Sequence, residues 1–80
     1  MPTIFIENGY RVSFYSYDLA EPMHVHVFKA GHECKVWLAD LTIAFNHGFK
    51  PEEIAEIGRI IDERRAEIAE RWVEHGRGRS

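Results

Sequence analysis

The sequence has a single cysteine, three prolines and no long apolar run, and it carries no excess of positive charge. The lone Cys34 excludes an internal disulfide framework and points to a reducing, cytoplasmic setting. No stretch reads as a signal peptide or a transmembrane helix, so a membrane role is not expected. Ten basic residues against thirteen acidic ones leave a net charge of -3. The broad positive field that supports non-specific nucleic-acid binding is therefore missing. No glycine loop suited to cradling phosphate is present, and no serine, histidine and acid grouping reads as a catalytic triad.

What is there is the composition of a folded domain. Hydrophobic residues make up 45% of the 80 and charged residues 29%, which fits one soluble domain spanning 1–80. A chain of this size buries only about 60 to 65% of its unfolded surface, leaving a core worth roughly 3 to 5 kcal/mol. A partner or a second copy would add to that.

The periodicity changes once along the chain. From Thr3 to Phe45 (3–45) β-branched and aromatic residues alternate with polar ones, whereas residues 51–75 are charged, with isoleucines at helical spacing. Thr3 to Ile6 and Tyr10 to Tyr15 read as two strands joined by Asn8-Gly9, a pair suited to the two positive φ angles of a type I′ turn. Ser16 to Pro22 reads as a loop. His24 to Lys29 and Glu33 to Leu38 form a second hairpin. A two-residue turn at Gly31-His32 would set Val27 opposite Val36 and Val25 opposite Leu38, with His26 opposite Trp37 and Phe28 opposite Lys35 on the other face. Leu41 to Phe45 reads as a fifth short strand. Pro51 opens a helix, and Ile54, Ile57, Ile61, Ile68 and Trp72 form its apolar stripe, interrupted by Arg64 and Arg65. The Arg65 head is expected to reach a carboxylate or solvent. Gly76 is a natural stop, with a frayed tail over 76–80. The fold class is α+β: an antiparallel β-meander of four to five strands with one long C-terminal α-helix packed on one face.

Parity along the strands separates the candidate chemistry. Val25, Val27, Val36 and Leu38 are expected under the helix together with Cys34, which reads as a small buried hydrophobe rather than a nucleophile. His24 and His26 point the other way, onto a face expected to be accessible to solvent or to lie at an interface. Alternate strand positions place the two imidazoles about 7 Å apart, a spacing that zinc and iron sites use. Asp18, Glu21, His32 and His47 are the residues that could supply a third ligand, none at a diagnostic spacing. A divalent metal is thus the alternative to no cofactor at all. Tyr15, Tyr17, Phe28 and Trp37 with Arg11, Lys29 and Lys35 could form an aromatic and basic face; mixed parity favours a protein partner or homodimer seam over nucleic acid.

The order Gly9-Tyr10-Arg11, Phe14-Tyr15-Ser16, Glu21-Pro22-Met23-His24-Val25-His26-Val27, Lys35-Val36-Trp37-Leu38 and Asn46-His47-Gly48-Phe49 resembles a small bacterial family of domain-of-unknown-function proteins, numbered 4160 (DUF4160). The similarity covers almost the whole chain, and the strand-three motif preceded by Glu-Pro is its most specific part. Carried over by motif, it singles out Tyr15, Glu21, Pro22, His24, His26, Lys35 and Trp37. Met23 stands where a second proline is usual, and Lys50 where a serine or threonine helix cap is usual. The family carries no established activity; its members look like compact genes set beside another small gene, in the manner of toxin-antitoxin pairs. The leading expectation is a cytoplasmic protein-interaction or regulatory module, one partner of such a pair. It would bind through His24, His26, Phe28 and Trp37, with Tyr15, Lys35 and Glu21 beside them. The alternative is a metal-dependent or acid-base hydrolase or nuclease using His24 and His26.

Overall fold

Two tight turns lay out the sheet. Asn8 (φ 53°) and Gly9 (φ 83°) join β1 (Thr3–Glu7) to β2 (Tyr10–Ser13), as the Asn-Gly pair predicts. Ala30 (φ 52°) and Gly31 (φ 82°) join β3 (His24–Lys29) to β4 (His32–Trp37). In this computed structural model residues 3–15 and 20–77 are described.

The second turn corrects the expected register. The glycine takes the second left-handed position, as Gly9 does, so alanine falls at the first and the turn is Ala30-Gly31 rather than Gly31-His32. Partners move by two residues: Val25 faces Val36, His26 faces Lys35, Val27 faces Cys34 and His24 faces Trp37. An even shift leaves every side chain on its expected face, so the division of faces survives while the individual pairs change.

All five strands pair antiparallel in chain order. The last, β5 (Ile43–His47), starts two residues later than expected. Leu41 adopts φ 61° and its N–H bonds the Trp37 carbonyl at 2.9 Å, closing a turn that keeps Leu41 and Thr42 out of the strand. Asp40 secures that turn by accepting from the Thr42 N–H (3.1 Å) and hydroxyl (2.7 Å). The strand also runs two residues past the expected end at Phe45, through Asn46 and His47. Asn46 carries a further role. Its amide bonds both polar backbone groups of Phe49 and so shapes the approach to the helix.

The expected single helix is two: α1 (Pro51–Glu63) and α2 (Arg65–Arg77). Pro51 opens α1 from an extended Lys50, whose ammonium has no lone pair to cap with. The cap comes instead from Glu53, whose carboxylate accepts the Lys50 N–H at 2.9 Å. The break lies at Arg64 (φ -115°, ψ 21°), whose N–H is shared between the Ile60 and Ile61 carbonyls. Arg65 reaches Asp62 at 2.8 Å and the Ala39 carbonyl at 3.2 Å, as its position in the stripe suggested. Gly76 does not stop α2, which continues to Arg77; the remaining tail, 78–80, lies outside the described residues.

Both helices lie on the face of the sheet that carries Phe5, Tyr10, Val12, Val25, Val27, Cys34 and Val36, all buried. Ile57, Ile60, Ile61, Ile68 and Trp72 cover them, with Ile54 only partly buried. Val25, Val27, Val36 and Leu38 are therefore core residues, as parity indicated.

Candidate functional site

The face of the sheet opposite the helix-covered core is built as transverse rows, because paired residues in adjacent strands share a face. One row runs Ile6, Arg11, Phe28, Glu33, His47 across all five strands. A second runs Ser13, His26, Lys35, Phe45. His24 and Trp37 form a third, shorter row at the end of the sheet, where α2 reaches past the core face and Trp72 meets the His24 ring.

Within these rows rings and cations interleave. The Arg11 guanidinium lies 4.7 Å from the centre of the Phe28 ring, and the Lys35 ammonium 4.6 Å from that of Trp37. Lys35 also meets Glu21 at 2.8 Å. Tyr15 sets its ring edge-on to His26 at 4.8 Å, and Phe28 stacks beside His26 at 6.4 Å. The seven residues expected from sequence to bind a partner, Tyr15, Glu21, His24, His26, Phe28, Lys35 and Trp37, thus form one connected cluster.

Burial corrects one expectation. His24 is fully buried and His26 only 7% exposed, so neither imidazole presents an open surface. The reason is the size of the neighbours. The His24 ring is met edge-on at 5.3 Å by each of His26, Trp37 and Trp72, the last coming from α2. His24 donates its Nδ1–H to the Pro22 carbonyl at 2.9 Å, and His26 bonds the Glu33 carboxylate through Nδ1 at 3.1 Å. Both histidines are therefore enclosed at the centre of the cluster, and the accessible part of this face is the ring of side chains around them. Ile6 is 65% exposed, while Arg11, Phe28, Lys35, Trp37 and Phe45 are half-buried.

As for metal binding, no group of three or more histidine, cysteine, aspartate or glutamate side chains that could hold an ion occurs among the described residues. Of the residues considered as a third ligand, Glu21 lies 3.8 Å from His24 Nδ1 but is exposed and paired with Lys35. His32 packs on Phe49, and His47 stacks on Phe45. Asp18 and Tyr17 lie outside the described residues. Of the basic residues considered with this face, Lys29 bends toward the Tyr10 ring (4.4 Å).

Cys34 is fully buried, and burial first, then the Glu33 charge, pushes its thiol up to about 12. That is the behaviour of a core residue, since the thiolate a nucleophile needs is strongly disfavoured. Sequence reasoning missed Ile6, Glu33 and Phe45 as members of the face. Their strand parity was readable; the true register decides only their neighbours, setting Glu33 opposite Phe28 and Phe45 opposite Lys35.

The model of one protein family, described as Domain of unknown function (DUF4160), matches residues 9–73. The chain belongs to this family. The matched region takes in β2 to β5, α1 and most of α2, so the DUF4160 residues include every row of the open face except its β1 members. No curated protein and no solved structure matches the chain. No helix among the described residues is long and apolar enough to cross a membrane.

Proposed function

We propose that this DUF4160 protein is a small protein-interaction module, cytoplasmic and regulatory, and one component of a bacterial toxin-antitoxin-type gene pair. Its partner surface is the open face of the sheet. The observation that carries this reading is the exposed Ile6 beside the half-buried Phe28, Phe45 and Trp37, with Arg11 and Lys35 interleaved among them. Large rings with arginine among them, set on a rigid sheet and edged by charge, suit a protein interface. Burial of His24 and His26 fits the same reading, because two packed imidazoles hold the surrounding rings in place.

Co-expression with the product of the neighbouring small gene tests it. The parent chain is expected to co-purify with that product, and Phe28→Asp with Arg11→Glu to abolish the complex while leaving the melting temperature within a few degrees. A parent that neither binds that product nor self-associates would remove the reading. The 5.3 Å approach of the His24 and His26 rings keeps a metal-dependent or acid-base hydrolase or nuclease as the alternative. About one equivalent of zinc, manganese or iron in the purified parent, absent from the His24→Ala, His26→Ala variant, would favour it.

A further inference from the structure

A groove of about 980 Å³ opens between the end of the β3–β4 hairpin and the helices. Met23, Trp37 and Leu38 form one wall. Ala66 and Ala69 form the other, and together with Asp62 they follow one helix stripe across the break at Arg64. This stripe runs beside the one that carries Ile61, Ile68 and Trp72, and its two alanines are too small to fill the space against Trp37 and Leu38.

Its rim is acidic. Among the described residues, Asp40, Asp62 and Glu63 line it against the guanidinium of Arg65. Arg65 is already committed to Asp62 at 2.8 Å and to the Ala39 carbonyl. Arg59 meets Glu63 at 3.3 Å, in a pair more than half exposed on both sides and so largely screened. Asp40 is held ionised below the usual carboxylate range, first by the Thr42 hydroxyl and then by the Thr42 N–H.

We propose that this groove docks an amphipathic segment of a partner protein. An apolar side chain would be seated against Trp37 and Leu38, and a lysine or arginine would be directed at Asp40 and Glu63. Charge decides the occupant. Of the two exposed large apolar residues among those described, Ile6 lies on the sheet and Val73 on a helix; a second copy docking by a helix would present Val73, which is adjacent to Glu74 and three positions from Glu70. Those carboxylates would meet the acidic rim. A basic amphipathic helix meets both the apolar walls and the rim. The site stands apart from the partner surface on the open face except at Trp37, which borders both, and does not depend on that assignment.

The test is a titration of the isotopically labelled chain with two fluorescent peptides, a leucine-lysine amphipathic helix and its leucine-glutamate counterpart. The leucine-lysine peptide is expected to shift the amides of Met23, Trp37, Ala66 and Ala69, with an affinity that weakens as salt rises. Ala69→Trp, which fills the groove, should weaken binding about tenfold or more. Asp40→Asn with Glu63→Gln should flatten the salt dependence, the carboxamide oxygen of the first substitution still accepting from Thr42. Melting temperatures of both variants are measured alongside, and Phe28→Ala, on the open face, should leave peptide binding unchanged. The inference is overturned if neither peptide binds, if the leucine-glutamate peptide binds equally well, or if Phe28→Ala abolishes binding. It is also overturned if sedimentation shows a parent dimer that Ala69→Trp dissociates, since the groove would then hold a second copy.

Discussion

The guanidinium of Arg64 lies 3.6 Å from the centre of the Phe5 ring, at the break between the two helices. The same group reaches Glu7 at 3.2 Å and Glu67 at 2.9 Å. One residue thereby ties the first strand to the helix junction and supplies a cation where the backbone leaves helical geometry. Arg64→Ala is expected to destabilise by about 1 to 2 kcal/mol, combining one cation–π contact with a small carboxylate network. Arg64→Leu should recover part of the loss, because a packed apolar stem over Phe5 replaces some of the contact. Urea melts of the three proteins check the order.

Gly48 is required by its surroundings twice over. It adopts φ 107°, and a Cβ there would overlap the His32 ring at Nδ1. Gly48→Ala should cost about 2 to 4 kcal/mol through backbone strain and the displaced imidazole. Adding His32→Ala should relieve the clash and leave the strain, so the double variant is expected to be more stable than Gly48→Ala alone. A double-mutant cycle in denaturant separates the two contributions.

Trp72 closes the end of the core. It packs at 5.2 Å from Phe14 and 5.3 Å from His24, and is 8% exposed. Trp72→Ala is expected to destabilise by about 3 to 5 kcal/mol, comparable with the whole stability of a domain this size. It should also loosen the histidine cluster on β3, since the His24 ring loses an aromatic neighbour. Denaturation midpoints and the His24 ring proton shifts report the two effects.

Stability should fall on the alkaline side. Burial, then its bond to Glu56 at 2.9 Å, pushes the Tyr10 hydroxyl up to about 12, and burial pushes the Cys34 thiol up to about 12 as well. Both shifts mean that the folded chain holds these protons more tightly than the unfolded chain. Their contribution is therefore complete below about pH 9 and is lost as the pH rises toward 12, Cys34 acting first because its unfolded thiol titrates lower. Each group adds at most about 1.4 kcal/mol of loss per pH unit between its two values. Melts at pH 7, 9 and 10.5 are expected to decline across the last interval, and Cys34→Ala should flatten the decline.

The sequence by itself determined the strand alternation, the Asn8-Gly9 turn, the opening of the helix at Pro51 and the assignment of side chains to the two sheet faces. Each depends on residues within a few positions of one another, and parity is indifferent to an even slip in register. Tertiary structure decided the rest. The turn at Ala30-Gly31 chose between two hairpins of equal parity, and only that choice brought Lys35 opposite His26 and Trp37 opposite His24. The helix break at Arg64 is stabilised by Phe5 and Glu7, nearly sixty residues away in sequence, a contact that local periodicity does not encode. Burial of His24 and His26 follows from rings contributed by Tyr15, Trp37 and Trp72, brought together by the sheet and α2. Exposure is a property of how elements pack, so a strand can announce which way its histidines point but not what will cover them.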